Sequence, residues 1–302
     1  MSTIFYSTLP AVEAYHRPRS VDEAIRLLEE LGDEAEVLAG GTDLLVDMRA
    51  RRSCPAQLVD ITAIEGLRGI HAADDGGLVI GATTTVRDVE RSPLVRKRYL
   101  LLAEAARAMG TTQVNNRATV AGNVCRSSPS ADLACPLLAL DAAVVTAGAE
   151  PRTVPLAGFS NGTRRTVLRR GELVTAIVVP PLAEGTGGAF LRSTRTASDL
   201  ARLNAAAVST VHGEEITEVR IVLGSVGPTL LRARAAEDVL RGRRLDDALL
   251  AECARAACAA TDPRAGDLQA TPDQKRILAE VFTRKVVALA YARALAAREE
   301  AT

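Results

Sequence analysis

The residues best suited to chemistry here are small ones. Ala39-Gly40-Gly41-Thr42-Asp43 and Arg117-Ala118-Thr119-Val120-Ala121-Gly122-Asn123-Val124 both set glycine or alanine beside a Thr or Asn. With little side-chain bulk, the backbone can approach a guest and turn successive N–H groups toward it. Such a nest suits an anion, and a phosphate is its natural guest. The first loop follows the apolar run Glu36-Val37-Leu38-Ala39 and precedes a helix predicted from Leu44, the strand–glycine–helix context of an anion site. Neither loop has Walker A or G-x-G-x-x-G spacing. Taken singly, each also reads as a plain turn with local hydrogen bonds. Taken together, they read as two jaws on one pyrophosphate. Downstream, Ser128-Pro129-Ser130-Ala131-Asp132 places Asp132 in the first turn of a helix predicted over 131–140, with Ser130 as its cap. The ordinary role of an acid there is to offset the helix dipole.

Other reactive groups do not converge in sequence. The three histidines, His16, His71 and His212, are scattered without metal-ligand spacing. Five cysteines form no C-x-x-C pair and match no iron–sulfur pattern. Cys125 and Cys135, near the second loop, read as small buried residues, since no His accompanies them. An odd cysteine count without a secretory signal predicts reduced thiols and a cytoplasmic protein. No uninterrupted apolar run approaches about 18 residues, so no transmembrane segment is expected. Lys plus Arg equals Asp plus Glu at 37 each, and aromatics are 3% with no Trp. That balance supplies neither a global field nor stacking platforms for nucleic acid. The clusters Arg49, Arg51, Arg52 and Arg164, Arg165 read as solvated or interface faces.

The elements around the loops follow from period and punctuation. Ser20-Val21-Asp22-Glu23 is a capping box opening a helix that Gly32 stops. A strand at 36–39, a helix at 44–52 and a strand at 57–61 make a small α/β lobe. A hairpin turns at Asp74-Asp75-Gly76-Gly77, Thr85 caps a short helix, and 94–109 reads as one longer helix ended by Gly110. A strand is predicted at 143–146. Composition breaks at Pro180-Pro181 and 184–188. With 302 residues, 47% of them hydrophobic, two domains are expected. They are placed at 1–182, in lobes of about 1–62 and 63–182, and at 183–302. The second opens with a strand at 189–195, continues with a hairpin of 203–212 and 216–223, and ends in helices at 235–241, 247–261 and 272–297.

These stretches resemble a family. Gly40-Gly41-Thr42-Asp43-Leu44, Ile80-Gly81-Ala82-Thr83-Thr84-Thr85, Asn116 to Asn123 and Ser128 to Ala134 are similar to motifs of the FAD-binding medium subunit of molybdenum hydroxylases. That family includes the carbon monoxide and xanthine dehydrogenases. The likeness continues colinearly through Glu172-Leu173-Val174-Thr175, Phe190-Leu191-Arg192 and Asp199-Leu200-Ala201 to Leu223-Gly224-Ser225-Val226-Gly227-Pro228-Thr229. It implies an α+β fold: a two-lobed FAD-binding domain, then a C-terminal domain of a short antiparallel sheet and a helix bundle. It also implies non-covalent FAD contacted by Ala39, Gly40, Gly41, Thr42, Asp43, Ala82, Thr119, Ala121, Gly122 and Asn123. Asp132 would bond the flavin's polyol chain, while Leu173, Phe190 and Arg192 would approach the ring. Many relatives have Tyr where this chain has Phe190 and Lys where it has Arg192. The first exchange removes a hydrogen bond, and the second replaces a point donor with a planar fork.

On this resemblance no catalytic residue or metal site is expected in the chain. The molybdenum cofactor and the 2Fe–2S clusters would sit on a large and a small partner subunit, and electrons would leave FAD for NAD or a quinone-type acceptor. Two other functions fit the residues: a self-contained flavin oxidoreductase of the same superfamily, or a non-catalytic flavin-binding module.

Overall fold

A computed structural model describes residues 9–265 and 269–299. The fold is α+β, as expected. The first lobe is a parallel three-stranded sheet with Gln57–Asp60 between Ala14–His16 and Ala35–Leu38. Parallel neighbours need a crossover; helix Leu44–Arg49 lies in the one between Ala35–Leu38 and Gln57–Asp60, and helix Val21–Leu31 joins the two outer strands. The Ser20 side chain accepts from the Glu23 N–H at 3.1 Å, but the Glu23 carboxylate accepts from the Arg19 N–H at 2.8 Å. The expected box is therefore displaced by one residue on its return side. Helix Leu44–Arg49 follows the first glycine loop and is shorter than the predicted 44–52.

The second lobe is an antiparallel five-stranded sheet ordered Ile70–Ala72, Leu78–Gly81, Leu173–Val179, Ala143–Ala147, Arg152–Pro155. Its central strand, Leu173–Val179, is an almost continuous apolar run without the alternation that marks a half-buried strand. The predicted helix over 94–109 is two helices, Pro93–Arg98 and Leu100–Ala108. They part at Tyr99, whose side chain is fully buried and whose hydroxyl donates to the Pro180 carbonyl at 3.3 Å. The predicted helix over 131–140 begins only at Ala134. Asn123 Oδ1 accepts the Leu133 and Ala134 N–H groups at 3.2 Å each, so the second glycine loop caps this helix instead of Ser130.

The C-terminal sheet is antiparallel, running Thr186–Ser193, Leu203–His212, Glu215–Gly224, Leu231–Arg232. Both of its faces are covered. Phe190, Ala206, Val208 and Val222 join the core of the second lobe. Ala189, Ala205, Ala207 and Ile221 face helices Asp247–Ala259 and Pro272–Glu299. The long helix opens on a capping box, Thr271 with Gln274.

Candidate functional site

Between the two lobes lies a cleft of about 450 Å³, within the range of small-molecule sites. Ala39, Gly40, Gly41, Thr42, Asp43, Ala82, Thr119, Ala121, Gly122, Asn123 and Leu173 all line it. The two loops that are 77 residues apart from Gly40 to Arg117 in sequence touch in space: a Cβ on Gly40 would fall 2.1 Å from the Arg117 carbonyl oxygen. Gly40 is thus required by loop-on-loop packing. Gly41 is required by its backbone, at φ +74°.

The loops differ in what they offer. Among the described residues, the N–H groups of Gly40, Gly41, Thr42, Asp43 and Leu44 meet no protein acceptor. Five adjacent free donors on a cleft wall make a cradle for anionic oxygens. The second loop is largely self-satisfied. Val120 N–H donates to Thr84 O at 3.1 Å, Gly122 N–H to Thr119 Oγ1 at 3.1 Å and Asn123 N–H to Thr119 O at 3.0 Å. It leaves the Thr119 and Ala121 N–H groups and the Thr119 hydroxyl proton. Asn123 has its carbonyl oxygen committed to the helix cap, so only its amide NH2 can serve a guest. The first loop is the main jaw and the second the lesser one. Past the loops, Ile61, Met109, Leu168, Leu173 and Val174 give an apolar wall.

The cleft also holds charges that sequence spacing does not flag. Asp47 is buried and lies 2.7 Å from Arg52 Nε; it also pairs with Arg126, and Arg164 Nη1 is 3.6 Å away. The Arg126 bond above all holds the Asp47 carboxyl at about 2, well below its ordinary range. Glu172 is paired with Arg152 at 2.6 Å, and that bond likewise holds it at about 2. Burial pushes the Cys125 thiol, also on the wall, up to about 12, so it stays neutral. The available signal for Asp47 was a single acid within Leu44-Leu45-Val46-Asp47-Met48, an otherwise apolar run. Among the described residues no group of three or more His, Cys, Asp or Glu is placed to hold a metal ion.

Residues 10–182 match the profile described as the FAD-binding domain in molybdopterin dehydrogenase, and residues 188–290 match the CO dehydrogenase flavoprotein C-terminal domain. The chain is an FAD-binding medium subunit of the molybdenum hydroxylase family. It is 37% identical to the carbon monoxide dehydrogenase medium chain of Hydrogenophaga pseudoflava, covering 94% of this chain and 99% of that one. It is 31% identical to the xanthine dehydrogenase FAD-binding subunit of Escherichia coli O157:H7, covering 93% and 97%. The solved carbon monoxide dehydrogenase of Hydrogenophaga pseudoflava superimposes with a TM-score of 0.91 at 39% identity, over 95% of this chain and 99% of that one. Quinoline 2-oxidoreductase from Pseudomonas putida 86 gives 0.88 at 27% identity, over 96% and 99%.

The donors of this medium subunit fit FAD: free N–H groups for a pyrophosphate, then an apolar wall for a flat ring. Three residues expected at the site do not line the cleft. Asp132 and Arg192 form a buried ion pair at 2.8 Å. Arg192 also donates to Ala108 O at 2.6 Å and to Asp199 O at 2.5 Å, and Asn204 donates to Asp132 at 3.0 Å. Burial pushes the Asp132 carboxyl up, and Arg192 and Asn204 oppose that. Phe190 is 4% exposed within the core shared by the second lobe and the C-terminal sheet. The partners of these side chains are protein groups, and the physical reason is burial: an ion pair there must be internally satisfied.

Proposed function

We propose that this subunit is the electron exit of a molybdenum hydroxylase complex. It holds FAD non-covalently in the inter-lobe cleft, receives electrons from a 2Fe–2S small subunit beside a molybdenum-cofactor large subunit, and delivers them to NAD or a quinone-type acceptor. The observation that carries this reading is the row of five free N–H groups from Gly40 to Leu44, facing a second glycine loop in a fold that is matched over 95% of the chain. Bound FAD would supply a centre that passes electrons singly or in pairs. The first loop would fix the pyrophosphate, Ala121 and Thr119 would add donors from the other lobe, and Leu173 and its apolar neighbours would exclude water from one face of the ring. Free donors on two separate loops favour FAD over FMN, which has a single phosphate. The division at 182/183 is supported by the gap between the two profile matches. The free cysteines accord with a cytoplasmic setting. Acid precipitation of the purified chain should release intact FAD into the supernatant. Flavin retained in the pellet, or FMN in the extract, would contradict the reading.

A further inference from the structure

Asp47 is where charges from both lobes meet. Its helix, Leu44–Arg49, follows the first glycine loop, and its side chain is only 9% exposed. Arg52, from the same lobe, approaches Oδ1 through Nε at 2.7 Å and Nη2 at 2.6 Å. Arg126, which ends the helix carrying the second glycine loop, pairs with Oδ2 and lies 3.4 Å from Asp43. Arg164, also of the second lobe, reaches within 3.6 Å of Oδ2. All four side chains line the cleft.

The second-lobe half of this cluster is braced. Ser127 and Arg164 are non-glycine residues at φ +48° and +61°, and the Arg164 N–H donates to Ser127 O at 2.9 Å. The Ser127 hydroxyl lies 2.9 Å from Gly162 O and 3.0 Å from Arg165 O. Left-handed backbone at such residues is costly and persists where surrounding contacts over-determine it. Here those contacts fix the segment bearing Arg126 against the segment bearing Arg164. With its Arg126 partner 20% exposed and Arg164 46% exposed, the cluster grades from an inner bolt to an outer one.

We propose that Asp47 is a clasp residue: by binding Arg52 from its own lobe and Arg126 and Arg164 from the other, it ties the lobes together across the cleft and sets how fast FAD leaves. This rests on the cleft being the flavin site. Asp47 is a positioning residue, because it acts through the arginines and the separation of the lobes. Arg52 and Arg164 are half-exposed, so salt screens their side of the cluster more than the inner Arg126 pair, and flavin release from the wild-type chain should quicken as ionic strength rises.

The test is the rate at which the full-length chain releases FAD, followed by flavin fluorescence after dilution into an apoflavoprotein trap at several salt concentrations. Asp47→Asn should release FAD about 10- to 100-fold faster, within the range that coupling between contacting residues gives, and its rate should depend on salt less steeply than that of the wild type. Asp47→Glu should restore part of the retention and part of the salt dependence. Arg164→Gln, at an exposed position that spares the fold, should speed release about two- to fivefold. A chain that holds FAD, with Asp47→Asn or, if that variant does not fold, Arg164→Gln matching the wild-type rate and salt slope, overturns the clasp alone. A wild-type chain that binds no FAD overturns the cofactor reading and the clasp together.

Discussion

Single residues of the cleft carry roles that neighbours define. Gly40→Val would drive its side chain into the Arg117 backbone, which lies 2.1 Å from the place of a Cβ. It should cost about 1–3 kcal/mol in denaturant melts and abolish flavin retention, because the two jaws can no longer meet. Full flavin content in that variant would disconnect loop packing from binding. The buried acids set a pH response. Glu172 is held at about 2 against an ordinary 4.5, and Asp47 at about 2 against 3.8. Their folded values lie below their unfolded ones, so their stabilisation is complete above about pH 4.5 and is lost as pH falls toward 2. Glu172→Gln should lower Tm at neutral pH and flatten its decline across that window. An unchanged profile would remove the Arg152 pair as the cause. Arg192→Ala leaves Asp132 buried without its partner and should cost about 3–5 kcal/mol by chemical denaturation. The glycines, Thr42 and Thr119 were legible in sequence because nests depend on local residue types. The Asp132–Arg192 pair was not, since its partners lie 60 residues apart and only the fold joins them.

At the level of elements, strands and helices with capping or turn signals were readable, including the hairpin turn at 74–77 and the cap at Thr85, which the structure completes as a box with Asp88. Elements whose identity depends on tertiary cover were not. Strand Leu173–Val179 lies between neighbours on both sides and lacks alternation. The break at Tyr99 comes where its side chain turns into the core to reach Pro180, which helical periodicity alone cannot announce. The helix–sheet contact in the C-terminal part gives a test at this scale. A Cβ on Gly187 would fall 2.2 Å from Ala294 N and 2.5 Å from Ala290 O on helix Pro272–Glu299. Gly187→Ala should therefore force the helix off the sheet, cost about 1–3 kcal/mol and raise hydrogen exchange along that helix. Unchanged exchange there would show that the helix adapts without separating.

Over the whole molecule, the three apolar cores assign the tasks. One belongs to the first lobe, a second joins the larger lobe to the C-terminal sheet, and a third lies under the terminal helices. The cleft opens where the first core meets the second, so the guest site sits at a junction between packed bodies. No helix among the described residues is long and apolar enough to cross a membrane. The chain presents a cradle, an apolar wall and charged lobes that face each other, which are the parts of a cofactor holder. The electron exit proposed for this subunit requires that it pass electrons through FAD and receive them only from partner subunits. Anaerobic stopped-flow at the flavin absorbance, with the purified chain alone and then with the proposed iron–sulfur and molybdenum subunits, decides it. Dithionite should bleach the flavin of the isolated chain, and the complex's substrate should do so only when the partners are present; rapid bleaching of the isolated chain by that substrate would refute the electron-exit proposal.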